Sequence, residues 1–162
     1  MALNRRQLLV NGSILSLAAA LGLGRSALAA EGDFPFTLTD AEWRERLSPA
    51  AYQVLRHEDT ERPFTSALNN EKRVGIFHCA GCDQALFDSE TKYDSGTGWP
   101  SFWDFIPGAI GTKEDNSLWM TRIEVHCSNC GGHQGHVFED GPPPTGLRYC
   151  INGLALRFEP AA

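Results

Sequence analysis

Two Cys-x-x-Cys units, Cys79-Ala80-Gly81-Cys82 and Cys127-Ser128-Asn129-Cys130, lie 44 residues apart in a chain of 162 residues. Two such turns brought face to face supply four thiolates in a tetrahedron, the donor set of a closed structural zinc site. The interval exceeds that of a zinc ribbon, so the fold and not a local hairpin must join the two knuckles. Two disulfides or two thioredoxin-like redox pairs are the alternatives, since exported chains meet oxidising surroundings. A redox Cys-x-x-Cys usually opens a helix after a strand, and neither unit here is followed by helical periodicity. His78 and His126 adjoin the knuckles, but four cysteines suffice, so both are expected beside the metal or exposed.

The fifth cysteine, Cys150, is left over. In Arg148-Tyr149-Cys150-Ile151-Asn152 a period of two puts Arg148, Cys150 and Asn152 on one face and Tyr149 and Ile151 on the other. A guanidinium on the same face favours the thiolate, the nucleophilic form of cysteine. The competing reading is a buried structural cysteine, which residue type alone favours. Polar neighbours and a nearby histidine pair weigh against it. That pair is His133 and His136 in Gly131-Gly132-His133-Gln134-Gly135-His136. Residues three apart point to opposite faces of a straight strand, so a bend at Gly135 is expected to aim both imidazoles at one pocket, as acids or hydrogen-bond donors. Gly96-Thr97-Gly98-Trp99-Pro100 presents Trp99 on a glycine loop, either as core or as one wall of a pocket for a small apolar group.

The remaining pattern is that of a small α+β domain, mostly β, with helices first. Thr39-Asp40-Ala41-Glu42 is a capping box for a helix to about Leu47, and Ser48-Pro49 starts a second through about Arg56. Val74 to Cys79, Thr121 to Cys127, Leu147 to Asn152 and Leu154 to Phe158 read as strands. Met1 to Ala30 reads as an address: Arg5-Arg6, an apolar stretch from Ile14 to Leu23, then Ala27-Leu28-Ala29 for signal peptidase. It resembles a bacterial Tat signal, although Leu8 stands where Phe is commoner. Residues 1–29 are thus expected to be a signal peptide for periplasmic export, and 30–162 one domain without stable membrane insertion. The formal charge is −6, and the three basic residues of the first 30 (Arg5, Arg6 and Arg25) leave the remainder more acidic still. A nucleic-acid partner is therefore not expected, because phosphate contacts need Lys and Arg.

Six blocks in order, from about Tyr52 to Phe158, resemble the type B peptide-methionine (R)-S-oxide reductases. They are Thr65 to Leu68, Cys79 to Cys82, Thr91 to Gly96, Gly98 to Phe102, His133 to Phe138, and Gly146 to Asn152. The resemblance implies two antiparallel sheets with short N-terminal helices and one structural zinc on Cys79, Cys82, Cys127 and Cys130. It implies Cys150 as nucleophile, surrounded by His133, His136, Arg148 and Asn152, with Trp99 holding the substrate methyl. The implied partners are oxidised proteins carrying methionine-R-sulfoxide and a thioredoxin-like or other thiol reductant, and the chain is expected to act as a monomer. Thr97 departs from the pattern, since many members carry a resolving cysteine there. Two rival readings are a non-catalytic zinc-binding interaction module and a thiol–disulfide oxidoreductase built on the Cys-x-x-Cys pairs. The first leaves Cys150, His133 and His136 without employment, and a zinc-to-protein ratio of one would exclude the second.

Overall fold

The computed structural model describes residues 32–117 and 120–162. The expected targeting segment therefore lies outside the described residues. Helix α1, Asp40–Arg46, begins at a complete capping box between Thr39 and Glu42, and α2, Pro49–His57, is capped by the Ser48 hydroxyl with proline in its first turn. Both helices start where the local sequence predicts. The reason is short-range: a hydroxyl and a carboxylate satisfy amides that a helix leaves unpaired.

Among the described residues nine strands follow: β1 Gly75–Cys79, β2 Ala85–Asp88, β3 Lys92–Tyr93, β4 Ser101–Phe102, β5 Ile110–Asp115, β6 Arg122–Cys127, β7 His133–Phe138, β8 Arg148–Ile151 and β9 Leu156–Pro160. The sequence pattern picks out β1, β6, β8 and β9 and misses the rest, which are short or carry too little apolar alternation. The expected strand from Leu154 starts two residues late, because Gly153–Ala155 forms a helical turn first.

The strands form two antiparallel sheets, ordered β2-β1-β9 and β3-β4-β8-β7-β6-β5. Aromatic rings fill the space between them. Phe77 of β1 meets Phe102 of β4 edge-on at 5.0 Å between centroids, and Phe87 of β2 stacks on Phe102 at 4.4 Å. All three are fully buried. Deleting a ring of this kind costs about 3–5 kcal/mol, so this layer is the main weld between the sheets. On β8 the expected alternation is present: Tyr149 and Ile151 are buried, and Arg148 and Cys150 turn to the opposite face. Among the described residues, no helix is long and apolar enough to cross a membrane.

Candidate active site and metal centre

Cys79 ends β1 in one sheet and Cys127 ends β6 in the other, so the two knuckles meet across the sandwich. The thiols of Cys79, Cys82, Cys127 and Cys130 all lie within 4.8 Å of one another. The Cys79–Cys130 and Cys82–Cys127 sulfurs are 3.7 and 3.5 Å apart. That is too far for a disulfide but close to the edge of a zinc–thiolate tetrahedron, about 3.8 Å for bonds of 2.3 Å. Hydrogen bonding among the sulfurs, and then burial, pushes the Cys79 thiol well above its usual range. Four thiolates held this close need a cation among them, and the donor set fits one. Leu55 of α2 and the Cys130 sulfur both border Gly132, Gln134 Nε2 donates to Cys79 Sγ at 3.5 Å, and the Gln84 backbone amide donates to Cys82. His78 and His126 remain outside it. His78 Nδ1 lies 2.9 Å from the Asp83 carbonyl, and His126 meets Phe34 edge-on.

Cys150 occupies a different setting. On the solvent-facing side of the six-stranded sheet the register sets Cys150 opposite His136 on β7 and opposite Ser101 on β4. Cys150, His136, Trp99, Asn152, Thr60, Arg122 and Phe138 line one cavity of about 110 Å³. Of the residues expected there, Cys150, His136, Asn152 and Trp99 come together in this cavity. His133 and Arg148 do not line it.

The two histidines do share a face, with ring centroids 5.4 Å apart. The device differs from the expected bend at Gly135. Val125 pairs with Gly135 and His126 with His133, so Gln134 is an extra residue on β7, a β-bulge that returns His133 to the face of His136. Gly135 instead permits a close approach of two strands, since a Cβ there would lie 2.0 Å from the Cys150 carbonyl oxygen. His133 ends up behind the cavity, fully buried, with Nδ1 2.7 Å from Glu124 Oε1. Its Nε2 is buried without a partner.

His136 is oriented by Asp115, whose Oδ2 lies 2.7 Å from Nε2. The same oxygen receives Arg122 at 2.6 Å. Burial opposes the Asp115 charge, yet hydrogen bonds from Ser117 and His136 and the Arg122 charge together hold the carboxyl well below its usual range. An ionised Asp115 fixes the Nε2 proton of His136 and turns Nδ1 to other partners. Burial lowers the His136 imidazole, Asp115 works against that, and Arg122 and His133 add to it. Once protonated, such an imidazole gives up its proton readily.

Arg148 also differs from the sequence-based picture. It makes a two-point ion pair with Asp140, both bonds 2.8 Å, and its guanidinium lies 4.4 Å over the Phe138 ring. Its charge reaches Cys150 already shared with a carboxylate. Asn152 likewise spends its side chain on structure: Oδ1 accepts from the Glu61 amide at 3.0 Å, and Nδ2 donates to the Gln134 carbonyl. Glu61 is the hub of this corner. Its carbonyl accepts from Trp99 Nε1 at 3.0 Å, and its carboxylate accepts from the amides of Gly153 and Leu154. It thereby ties the tryptophan loop to the end of β8.

Sequence reasoning missed Thr60, Glu61, Asp115, Arg122, Glu124 and Phe138. For four of them a signal exists. Lys113 and Asp115 alternate on β5 against Glu124 and Arg122 on β6, giving opposite charges directly across the ladder. Phe138 and His136 likewise alternate on β7. Thr60 and Glu61 lie in an irregular segment and leave no periodic trace.

A SelR domain model matches residues 47–160. That span takes in both sheets, all five cysteines and every lining residue. The chain belongs to the SelR domain family. This SelR domain is 54% identical over 123 residues to the peptide methionine sulfoxide reductase MsrB of Agrobacterium fabrum, covering 75% of this chain and 91% of that protein. It is 58% identical over 120 residues to the MsrB of Pseudomonas putida, covering 74% and 90%. Against the MsrB of Methanosarcina barkeri the identity is 55% over 122 residues, covering 75% and 86%.

Proposed function

We propose that Cys150 is the nucleophile with which this SelR domain reduces methionine sulfoxide, and that the R epimer in oxidised proteins is its substrate. The protein is a peptide methionine sulfoxide reductase of the MsrB type. The observation that carries the assignment to Cys150 is one cavity lined at once by that thiol, the His136 imidazole and the Trp99 indole. The thiolate attacks the sulfoxide sulfur while the sulfoxide oxygen takes a proton from the imidazole beside it. The protonated oxygen then shifts from the methionine sulfur to the Cys150 sulfur as the bond between the two sulfurs breaks with its electron pair going to methionine, which departs and leaves Cys150 as sulfenic acid. The substrate sulfur is reduced by two electrons and the cysteine sulfur is oxidised by two. Trp99 walls the substrate methyl, and His133, behind His136, holds Glu124 in place. Arg148 and Asn152 act by position, the one through Asp140 and the other through Glu61.

Thr97 occupies the place of a resolving thiol, so recycling falls to an external thiol of thioredoxin-like type. It displaces water from the sulfenic acid, and a second thiol releases Cys150. Cys79, Cys82, Cys127 and Cys130 hold one zinc ion, whose contribution is the folding energy of a closed thiolate site. Residues 1–29 are proposed as a twin-arginine signal and 30–162 as the exported domain, acting as a monomer in the periplasm. Zinc acquired before export fits that route, which carries folded cargo, and replacing Arg5-Arg6 by Lys-Lys is expected to retain the precursor in the cytoplasm.

The test is a stereospecific assay with dabsyl-methionine-R-sulfoxide and dithiothreitol. Wild type is expected to reduce the R epimer and spare the S epimer, and Cys150→Ser to reduce neither. Turnover by Cys150→Ser would overturn the assignment.

A further inference from the structure

A row of hydroxyls runs away from Cys150. Thr97 Oγ1 lies 3.8 Å from Cys150 Sγ, Ser95 Oγ 2.8 Å from Thr97 Oγ1, and Ser101 Oγ 2.7 Å from Ser95 Oγ. At the far end Ser101 Oγ is 3.1 Å from the Trp99 carbonyl oxygen. The fold builds this row from two sources. The β4–β8 register sets the fully buried Ser101 against Cys150. The loop ahead of β4 folds back on itself, with Gly96 and Gly98 at φ of 71° and 94°, and returns Ser95 and Thr97 to the same place.

Counting protons gives the row a direction. A carbonyl oxygen only accepts, and each hydroxyl has one proton to donate. When Cys150 is a thiol, its proton points to Thr97, Thr97 donates to Ser95, Ser95 to Ser101, and Ser101 to the Trp99 carbonyl. When Cys150 is a thiolate it has nothing to donate and needs a donor. The row then reverses: Ser101 donates to Ser95, Ser95 to Thr97, and Thr97 to the sulfur. No proton changes owner; three O–H bonds rotate, and the Trp99 carbonyl loses its bond from Ser101.

We propose that Thr97, Ser95 and Ser101 form a reversible hydroxyl chain that offers Cys150 a hydrogen-bond donor as thiolate and an acceptor as thiol. Thr97 is the contact residue; Ser95 and Ser101 are positioning residues that set its direction. The proposal deepens the reading of Cys150 as nucleophile and rests on it.

The two ends of the chain therefore have opposite effects. Removing Thr97 removes the donor to the thiolate. Removing Ser101 removes the outer acceptor that favours the thiol arrangement, and leaves Ser95 free to donate toward Thr97. Other charged and titratable groups around Cys150 are a common background to all the variants. They are Arg148 with Asp140 on and beside β8, His136 with Asp115, Arg122 at the cavity rim, His133 with Glu124 behind it, and Tyr93 across from Ser101.

The experiment is the rate of Cys150 alkylation by iodoacetamide on the metal-loaded protein, followed by peptide mass from pH 5.5 to 10. Thr97→Val is expected to slow alkylation about three- to tenfold near neutral pH, the worth of one hydrogen bond, and to match wild type at alkaline pH. Thr97→Ser restores the wild-type rate. Ser101→Ala speeds alkylation near neutral pH about two- to fivefold, and Ser95→Ala does the same should Ser101→Ala fail to fold. An unchanged Thr97→Val, or one slowed by the same factor at every pH, overturns the proposal. So does an unchanged or slower Ser101→Ala or, in its place, Ser95→Ala. Alkylation needs no reductase turnover, so activity retained in Cys150→Ser would count against the nucleophile while leaving these rates to be judged separately.

Discussion

Around Cys79, Cys82, Cys127 and Cys130 four sulfurs lie together near α2, and their partners are one another, the buried Gln134 side-chain amide and the Gln84 backbone amide. Around Cys150 a single half-buried sulfur faces an imidazole, an indole and a threonine hydroxyl on the open side of a sheet. The first region is built from two local turns that the sandwich presses together. The second is drawn from the tryptophan loop, the strands β6, β7 and β8 with the residue that follows β8, and an irregular segment before β1, and these parts lie more than ten residues apart in sequence except where they share or adjoin one strand. Cysteine is thus placed by fold in both, but its chemistry is set by company. Surrounded by thiols it becomes a metal ligand, and beside polar groups and open space it is available to react.

The largest expected effect breaks the first region alone. Cys127→Ser removes one corner of the tetrahedron, and since metal binding at such a site is folding energy of order 10 kcal/mol, the variant is expected to lose zinc and most of its thermal stability. Metal analysis and a melting curve check this. A variant without zinc that melts like wild type would show that the sheets hold without the staple.

Cys150→Ser is the opposite case. Activity is expected to vanish while stability changes by less than about 1 kcal/mol, as for a site whose residue is spent on chemistry. The same pair of measurements, assay and melt, decides it.

Glu61→Gln is expected to injure both properties moderately. A Gln amide would face the Gly153 or Leu154 amide donor to donor, costing about 2 kcal/mol, and would loosen the corner that carries Trp99. Denaturant unfolding reads the first effect, and a KM that rises more than kcat falls reads the second.

The smallest effect concerns pH. His136 has a folded value below its usual 6.5, so the folded state binds fewer protons than the unfolded chain as pH falls. Its contribution to stability is present above pH 6.5 and declines below it. The depressed Asp115 carboxyl adds a second loss, present above the ordinary carboxylate range and lost as pH drops through it. Stability is therefore expected to decline in two acid steps, and His136→Gln to flatten the one nearer neutrality. An unaltered profile between pH 5 and 7 would remove His136 from the account.

The chain by itself fixed what depends on neighbours in sequence. The capping box at Thr39, the N-cap at Ser48, the period of two that separates Cys150 from Tyr149, and the two knuckles are all short-range chemistry. Only the tertiary structure decided which side chains meet. The bulge at Gln134 turns His133 to the face of His136, and the Asp140 carboxylate claims Arg148. Glu61 bonds to amides more than ninety residues away, and Ser101 comes to rest against Cys150 through strand register. Such contacts depend on register and on chain closure over long separations, and each is settled by what the whole core can bury. A local window holds the residues but not the competition between their possible partners.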